Sequence, residues 1–508
     1  MLKRLASVGG FTLLSRITGF VRDSLVAWTL GSGVLFDAFI VAFLLPNYFR
    51  AIFGEGTINP AFLPRYAALH AKGEHKKAAA FADAVFSWQL AVQIILLILG
   101  TVFMPWIVRL LAPGFVNNHR EFVLTVQLAR ITFPYLILTL VTVQLSAMLN
   151  AIEKFWAAAA WSNFQNLAMI GTLILWHWFP NAAYAAAWGV LLGGVAQLVF
   201  ILWAGAREGL WLKIEVPRWT AEIKEFFVAF GAVTFGAASV VVAPFIDTII
   251  ASYLPTGSRG ALYLADRINQ LPLGVLGIAL GTVLLPEMSR RLARGDSAGS
   301  DTAQNRSAAM SLLLTLPFAA VFLAIPGVIM RAVFAHGAFD ASAANLAATA
   351  LAAYGIGLPA MAMVRIVAST FYARHDTMTP VRATVIAIVS NILLKVVFVW
   401  GFHFGVAGVA LGTALGAWIN VGILTWLGRS RALLAIEKDF VKALPPVLIA
   451  ALAAGAGAWI GAFLTAPLAQ GRFSDVAALL GAIVLSIAAY ATVVLLFHRV
   501  LPIRKYAE

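Results

Sequence analysis

The chain contains no cysteine and few charged side chains. None of its 508 residues is a cysteine, so disulfide bridges, thiolate metal sites and cysteine nucleophiles are excluded. Only 11% of the residues are charged and 61% are hydrophobic, against about 25% and about 45–50% in soluble domains. This composition excludes an ordinary soluble enzyme and predicts an integral membrane protein.

Apolar segments long enough to cross a bilayer recur along the whole chain. A spanning helix needs about 20 mostly apolar residues. Fourteen stretches meet this requirement: 5–30, 34–66, 80–112, 122–149, 157–179, 183–206, 223–253, 260–289, 306–335, 343–372, 380–402, 406–428, 441–465 and 476–500. We therefore expect an all-α polytopic membrane protein with 14 transmembrane helices.

Positive charges concentrate on one side of this predicted topology. With both termini in the cytoplasm, the inner connections hold 24 of the 36 lysine and arginine residues, and the outer ones hold only Arg120, Arg259 and Arg472. This asymmetry follows the positive-inside rule and accounts for most of the net charge of +14. We therefore expect both termini to be cytoplasmic, and we expect no nucleic-acid partner.

Two sections of the chain repeat each other at an offset of about 222 to 226 residues. The repeat is carried by Leu-Pro steps and by an arginine near a helix end: 45–46 with 271–272, 63–64 with 285–286, and Arg109 with Arg331. Such a repeat predicts two six-helix lobes, related by an axis along the membrane normal, with a cavity between them. We expect the lobes at 1–213 and 214–432, and an additional helix pair at 433–508.

Several cations fall inside predicted spans. A charge at membrane depth costs at least about 2.5–3.5 kcal/mol, so it should face a water-filled cavity or a partner. Guanidinium groups bind phosphate oxygens in a bidentate manner and stay charged at physiological pH, so an arginine cluster suits a diphosphate better than a sugar or a cationic drug. The candidate substrate-binding residues are Arg16, Arg22, Arg50, Arg267 and Asn47, and the acids expected to hold or separate them are Asp23, Asp37, Glu55 and Asp266.

A second polar cluster is predicted in helices seven, eleven and twelve. Asp247 lies deep in helix seven, Asn391 and Lys395 lie one turn apart on helix eleven, and Thr413 lies in helix twelve. We expect an Asp247–Lys395 ion pair inside the second lobe. The alternative is that the two groups are solvated separately.

No metal or cofactor is expected. The eight histidines are scattered without ligand spacing. The phosphate-loop pattern GxxxxGK[ST] is absent from the sequence, which disfavours ATP hydrolysis by this chain. The membrane potential is therefore the expected source of energy, since it acts on each moved charge with about 2.3 kcal/mol per 100 mV.

Four stretches resemble the MurJ/MviN family of lipid II flippases: SRITGFVRD (Ser15–Asp23), the run Asp37–Gly56, the run Ala265–Pro286, and FYARHDTMTP (Phe371–Pro380). The resemblance implies a MOP-superfamily fold, with two lobes in a V around a central cationic cavity and a final helix pair that holds the lipid tail. It also implies a transporter rather than an enzyme. The implied activity moves undecaprenyl-diphosphate disaccharide-pentapeptide from the cytoplasmic to the periplasmic leaflet of the bacterial inner membrane by alternating access.

The resemblance also implies roles for individual residues. Arg16, Arg22 and Arg267 match the family's essential cavity arginines, and three residues of helix two match further functional positions: Asp37, Asn47 and Arg50. Gln270 departs from the family, whose members can have an acid there. The expected partners of this monomer are lipid II and membrane lipids, with peptidoglycan synthases as candidates.

Two other classes remain as alternatives. One is a MOP-superfamily exporter of another polyprenyl-linked oligosaccharide or of a small molecule. A drug or cation antiporter of that superfamily would rely on cavity acids more than on three arginines. The other is a membrane enzyme acting on polyprenyl phosphates, which would need paired Asp/His or Asp/Asp residues at a membrane interface, and the sequence offers no such set.

Overall fold

The structure, a computed structural model, describes residues 2–52, 56–281, 284–470, 473–498 and 501. These residues form α-helices joined by short connections, which confirms the predicted all-α class. They fall into two compact units. The first unit runs to Gly260 and includes Gly337–Phe339, and the second contains Ala261–His336 and continues from Asp340. The expected division of the chain into lobes at 1–213 and 214–432, with a helix pair at 433–508, remains a prediction.

The first unit contains ten helices in its described residues. In chain order they are α1 (Leu2–Leu30), α2 (Val34–Arg50), α3 (Gly56–Ala71), α4 (His75–Val102), α5 (Met104–Leu111), α6 (His119–Thr132), α7 (Tyr135–Ala151), α8 (Phe155–Ile174), α9 (Ala182–Arg207) and α10 (Ala221–Ser252). The next helix, α11 (Ser258–Gly281), starts in this unit and continues into the second.

The second unit continues with eight further helices. They are α12 (Leu284–Ala293), α13 (Ser297–Ala324), α14 (Pro326–Phe334), α15 (Ala341–Tyr372), α16 (Met378–Val396), α17 (Gly405–Ser430), α18 (Lys438–Thr465) and α19 (Phe473–Leu496). A π-helical turn, Val397–Gly401, follows α16. The final pair, α18 and α19, packs together and against α13 and α14. Arg331 on α14 and Asp475 on α19 form a salt bridge of 3.0 Å across this contact.

Nine candidate membrane spans meet the criteria of length and hydropathy among the described residues: His75–Val102, His119–Ala151, Ala182–Arg207, Ser297–Ala324, Ala341–Tyr372, Met378–Gly401, Gly405–Ser430, Lys438–Leu468 and Phe473–Leu496. The helices that carry the predicted cavity residues, α1, α2 and α11, are outside this set, and so is α10, which carries Asp247. α1 and α11 each contain several charged side chains, and α2 has only 17 residues. The predicted number of 14 spans stays a prediction.

Each predicted repeat contains a long helix followed by a short one that starts at a proline. α4 is followed by α5, with Pro105 in its first turn, and α13 is followed by α14, with Pro326 in its first turn. Proline suits the first helical turn because it lacks the N–H that would have no intrahelical partner there. The two copies found in the sequence therefore have the same local structure at these positions.

Glycines on α9 fix the position of α8 within the first unit. A Cβ on Gly193 would lie 2.8 Å from the Cα of Gln165, and one on Gly189 would lie 2.9 Å from the Cα of Met169. Real Cβ atoms do not approach backbone atoms so closely, so only glycine permits this contact. The close packing holds α8 in a defined place, from which its polar residues face α1.

Candidate functional site

Arg22 lies buried in α1, with only 8% of its surface exposed. Its Nε and Nη2 atoms donate hydrogen bonds to Asp23 Oδ1 at 3.0 and 2.7 Å. Its guanidinium group also lies 5.5 Å from the ring centroid of Phe43 on α2. A buried charge is tolerated when it is paired and hydrogen-bonded, so Asp23 offsets the charge of Arg22 in this state.

Hydrogen bonds between polar side chains of α1 and α8 provide further contacts of Arg22. Arg22 Nη1 donates to Asn166 Oδ1 at 2.9 Å. Asn166 Nδ2 donates to the carbonyl oxygen of Ser15 at 3.1 Å and to Thr18 Oγ1 at 3.0 Å. Gly19 lies opposite, where a Cβ would be 3.5 Å from Asn166 Nδ2. Asn166, on α8, therefore bridges the guanidinium group of Arg22 and the backbone of α1, the helix that carries Arg22.

Sequence reasoning missed the contribution of α8 to this site. Two further contacts join the same helices: Asn163 Nδ2 donates to the carbonyl oxygen of Phe11 at 3.4 Å, and Ser162 Oγ donates to Ser15 Oγ at 3.1 Å. A signal was present, because positions 162 and 163 are polar within an apolar helix and lie four and three residues before a third polar position, 166. Such a stripe predicts a polar helix contact.

Arg16 lies on α1 about one and a half turns before Arg22, and its side chain is exposed. The two arginines therefore differ in setting: the protein encloses Arg22 and leaves Arg16 accessible.

Asp37 on α2 is buried and binds the beginning of α11. Its Oδ2 atom accepts a hydrogen bond from the Gly257 N–H, and its Oδ1 atom accepts one from the Gly260 N–H, both at 2.7 Å. The first amides of a helix have no intrahelical partner and carry partial positive charge, so a carboxylate stabilises them. Gly257 has φ +95°, a conformation that glycine adopts without strain. Asp37 thus holds α2 to the start of α11.

Proline shapes the second half of α2. Pro46 has no N–H to offer the carbonyl group of Ala42, and this carbonyl accepts instead from Thr132 Oγ1 on α6 at 2.9 Å. Asn47 Nδ2 donates to the carbonyl oxygen of Phe43 at 2.7 Å. Arg50 is the last residue of α2 and is partly buried. Of the acids predicted here, Glu55 lies outside the described residues.

In the second unit, α11 carries the other predicted arginine. Arg267 Nη2 donates to Tyr263 Oη at 3.1 Å, and its guanidinium carbon lies 4.7 Å from the centroid of the Tyr263 ring. The Asp266 carboxylate accepts a hydrogen bond from Gln270 Nε2, one turn further along the helix. Tyr263, which the sequence reading did not single out, therefore orients Arg267.

Lys395 is fully buried in the second unit, with 0% of its surface exposed. A Cβ on Gly412 of α17 would lie 2.3 Å from Lys395 Cγ, so this glycine makes room for the lysine side chain. In the same way, a Cβ on Gly416 would lie 2.8 Å from the Cβ of Asn391. Thr413, between these glycines, donates to the carbonyl oxygen of Val409 at 3.4 Å.

Asp247 is partly buried in α10 of the first unit, whereas Lys395 belongs to the second, and the Asp247–Lys395 pair remains a prediction. Directly after α16, which carries Lys395, the backbone becomes π-helical, a feature often found at functional sites. Within the ranges described above, no group of three or more His, Cys, Asp or Glu side chains is placed to hold a metal ion.

Asp376 lies between α15 and α16, in the stretch Phe371–Pro380. Its carboxylate accepts hydrogen bonds from the Thr379 hydroxyl at 2.6 Å and from the Thr379 N–H at 2.9 Å, and Arg431 lies 3.4 Å away. These hydrogen bonds, led by that of the Thr379 hydroxyl, lower the pKa of Asp376 below its usual value, and Arg431 adds to the effect. Asp376 thus stabilises the first turn of α16 in its charged form.

Taken together, long apolar helices and charged side chains buried within the bundle are typical of membrane proteins that move a polar substrate. Comparisons with known proteins agree. The family model described as lipid II flippase MurJ matches residues 26–478. The chain therefore belongs to the MurJ family of lipid II flippases, which are integral membrane proteins.

Individual relatives support this assignment. A protein of Rhizobium tropici described as a probable lipid II flippase MurJ is 36% identical over 463 residues, which cover 86% of this chain and 85% of the relative. A solved structure of lipid II flippase MurJ in an inward closed conformation matches with a TM-score of 0.80 at 25% identity, covering 97% of this chain and 98% of that one. An inward-facing MATE transporter of the MOP superfamily shares the fold, with a TM-score of 0.69 at 15% identity and coverage of 84% and 98%.

Proposed function

We propose that this chain moves lipid II, the undecaprenyl-diphosphate disaccharide-pentapeptide, from the cytoplasmic to the periplasmic leaflet by alternating access. Membership of the MurJ family supports the cargo. The observation that carries the proposal is the setting of Arg22, a buried guanidinium group held by Asp23 and Asn166 inside a helical bundle. Burying a charged side chain within a membrane costs free energy, and such residues typically mark sites that bind a substrate or ion.

The proposed binding residues are Arg16, Arg22, Arg50, Arg267 and Asn47. Arginine suits this role because its planar fork donates to two phosphate oxygens at once. The exposed Arg16 meets the diphosphate first. Arg22 follows when a phosphate oxygen replaces Asp23 as its acceptor, so binding exchanges one anion for another and does not require a bare buried charge.

The acids are proposed to control the states of the cavity. Asp23 keeps Arg22 neutralised while no cargo is bound. Asp37 holds the start of α11 through two backbone N–H groups, and releasing them would let α11 move relative to α2. We propose that Asp266 and Glu55 also control the states of the cavity.

For the remaining architecture we propose the arrangement that the sequence predicts. Residues 1–213 and 214–432 form the two lobes, and residues 433–508 form a pair that holds the prenyl tail. Asp247 and Lys395 form an ion pair, supported by Asn391 and Thr413, that stabilises the second lobe. Complete burial of Lys395 supports the pair, because a buried ammonium group requires a compensating partner.

The protein is proposed to act as a monomer in the bacterial inner membrane, with both termini in the cytoplasm, as a transporter without catalytic activity or cofactor. Peptidoglycan synthases are candidate partners. A potential that is negative inside favours the outward movement of an anionic headgroup and the inward return of an empty cationic cavity, by about 2.3 kcal/mol per charge per 100 mV. Transport rates that do not respond to an imposed potential would remove this part of the proposal.

Transport in proteoliposomes tests the function. Fluorescence quenching would follow labelled lipid II, in parallel with polyprenyl-linked sugars of other structure, for wild type, Arg267→Ala and Arg109→Ala. Arg109 is the matched control, because it lies over the rings of Trp106 and Phe122 near the end of α5. Selective movement of lipid II that Arg267→Ala abolishes and Arg109→Ala retains is the expected result. Movement of the other cargo instead would favour a wider MOP-superfamily exporter.

A further inference from the structure

The connection between α9 and α10 is an extended segment fixed along α4. We call residues 210–219 the linker segment. The Lys213 N–H donates to Asp83 Oδ1, and the Glu215 N–H donates to Ser87 Oγ, both at 2.8 Å. Asp83 and Ser87 are four residues apart on one face of α4, and they bind alternate amides of the linker segment. This regular pairing fixes its backbone.

Apolar contacts fix both ends of the linker segment. At its start, Leu210 and Leu212 pack against the buried core of the first unit. At its end, Trp88 Nε1 donates to the carbonyl oxygen of Arg218 at 3.1 Å, and the rings of Trp88 and Trp219 meet edge to face at 5.3 Å. The linker segment is therefore packed against the rest of the first unit at both ends.

The outward side chains of this fixed segment are large and apolar. The exposed fractions are 59% for Trp211, 74% for Ile214, 79% for Val216 and 60% for Trp219. Three charged side chains, Lys213, Glu215 and Arg218, are exposed between them. An apolar surface of this kind on a connection between helices requires an apolar environment or a partner.

The length of α4 places the linker segment at the edge of the bilayer. Its 28 residues extend about 42 Å, about 12 Å more than a typical hydrocarbon core. The excess belongs at its polar start, His75-Lys76-Lys77, because the other end is apolar. Asp83 and Ser87 lie about 12–18 Å from that start. The linker segment therefore crosses α4 where hydrocarbon gives way to headgroups.

Neighbouring parts of α9 and α4 also expose apolar side chains. On α9, Val199 and Trp203 are exposed shortly before the linker segment begins, and on α4, Val92 and Ile95 are exposed beyond Ser87. Tryptophan prefers the interface, where its ring is apolar and its N–H reaches water or a headgroup. Lysine and arginine extend from the same depth to phosphate groups.

We propose that the linker segment is an interfacial anchor whose partner is the phospholipid surface of the cytoplasmic leaflet. Trp211, Ile214, Val216 and Trp219 lie in the boundary between headgroups and acyl chains, while Lys213 and Arg218 contact lipid phosphates. This inference does not depend on the cargo, since the anchor follows from the linker segment and α4, and its assignment to the cytoplasmic leaflet rests on the proposed topology.

Site-directed spin labelling tests the anchor, and the absence of cysteine makes single-cysteine variants direct to build. Labels would be placed at Ile214→Cys and Val216→Cys, in vesicles of phosphatidylethanolamine and phosphatidylglycerol at low protein density. Leu452→Cys on α18, where the side chain is 70% exposed, is the lipid control, and Lys77→Cys at the polar start of α4 is the water control. Oxygen reports lipid exposure and a water-soluble nickel chelate reports water exposure.

The expected result is that labels at 214 and 216 collide more with oxygen than with nickel, as at Leu452, with a depth of about 5–10 Å below the phosphates. Nickel accessibility equal to that at Lys77 would overturn the proposal. Low accessibility to both reagents would also overturn it, because protein and not lipid would then cover the segment. Thermal melting of each labelled variant checks that the fold is retained, and the two positions report independently.

Discussion

Arg22 Nη1 donates a hydrogen bond of 2.9 Å to Asn166 Oδ1, and this contact joins the functional helix α1 to α8. The same asparagine donates through Nδ2 to α1, so both ends of its amide are used by one helix. Asn166 therefore acts as a positioning residue. It orients the guanidinium group of Arg22, the proposed anion-binding group, without providing charge itself.

Replacing Asn166 with leucine should impair both stability and transport. Asn166→Leu keeps a similar volume but removes the acceptor of a buried arginine, which should cost about 1–3 kcal/mol of folding free energy. The matched control is Asn420→Leu, which changes a buried asparagine of α17 that donates to Thr384 Oγ1 at 3.4 Å. Thermal melting should fall in both variants, whereas transport per folded molecule should fall only in Asn166→Leu. Equal transport in the two would contradict a role of Asn166 in the site.

Asp37→Asn should loosen the start of α11. The amide can accept from only one of the two N–H groups, because its NH₂ group would face the other, and losing one charge-assisted bond should cost about 1.5–3 kcal/mol. Hydrogen exchange of residues 257–260 should therefore accelerate. Asp475→Asn, which changes a half-exposed acid of α19, should leave exchange there unchanged. Unaltered exchange in Asp37→Asn would show that the carboxylate is dispensable for this contact.

Lys395→Met should destabilise the proposed second lobe, residues 214–432. Methionine has a similar length, but it removes the cation that the proposal places beside Asp247, and breaking a buried pair costs about 3–5 kcal/mol. Lys442→Met, at an exposed position of α18, is the control and should change thermal stability little. A melting temperature of Lys395→Met equal to that of wild type would argue against the pair.

The lowered pKa of Asp376 gives a pH-dependent contribution to stability. Because the folded pKa lies below the unfolded one, the contribution is present above the unfolded value of about 3.9 and is lost as pH falls through the lowered folded value. Wild type should therefore melt higher than Asp376→Asn at neutral pH, and the difference should shrink on acidification to about pH 3. The effect should be small, since the carboxylate is partly exposed. A difference that grows on acidification would contradict the assigned cause.

The fold was more predictable from sequence than the site was. Hydropathy identified the helical segments because burial in a bilayer demands about 20 apolar residues in succession, a local requirement. It did not predict the breaks after Val102 and Ala324, where a short second helix starts at a proline step. These breaks depend on how individual side chains pack against neighbouring helices. A running average of hydropathy contains no information about that packing.

Residue types predicted the arginines and the acids expected to hold them, but not which arginine pairs with which acid. Arg22 and Asp23 are consecutive, and consecutive residues on an ideal helix do not face each other, so helix periodicity does not predict this particular pair. Asn166 lies 144 residues from Arg22 in sequence, and Gly257 lies 220 residues from Asp37. Such contacts follow from tertiary packing. The polar stripe on α8 indicates that this helix makes a polar contact, but it does not indicate which helix is contacted.

Binding of a diphosphate by Arg22 is the central claim, and affinity for polyprenyl phosphates tests it most directly. Undecaprenyl diphosphate and undecaprenyl monophosphate would be compared on wild type, Arg22→Lys and Arg22→Ala in detergent, with thermal melting as a check on folding. Wild type should prefer the diphosphate, Arg22→Ala should weaken diphosphate binding about tenfold or more, and Arg22→Lys should restore part of it, because lysine keeps the charge and loses the bidentate fork. Diphosphate affinity that is equal in wild type and in a folded Arg22→Ala protein would contradict the account.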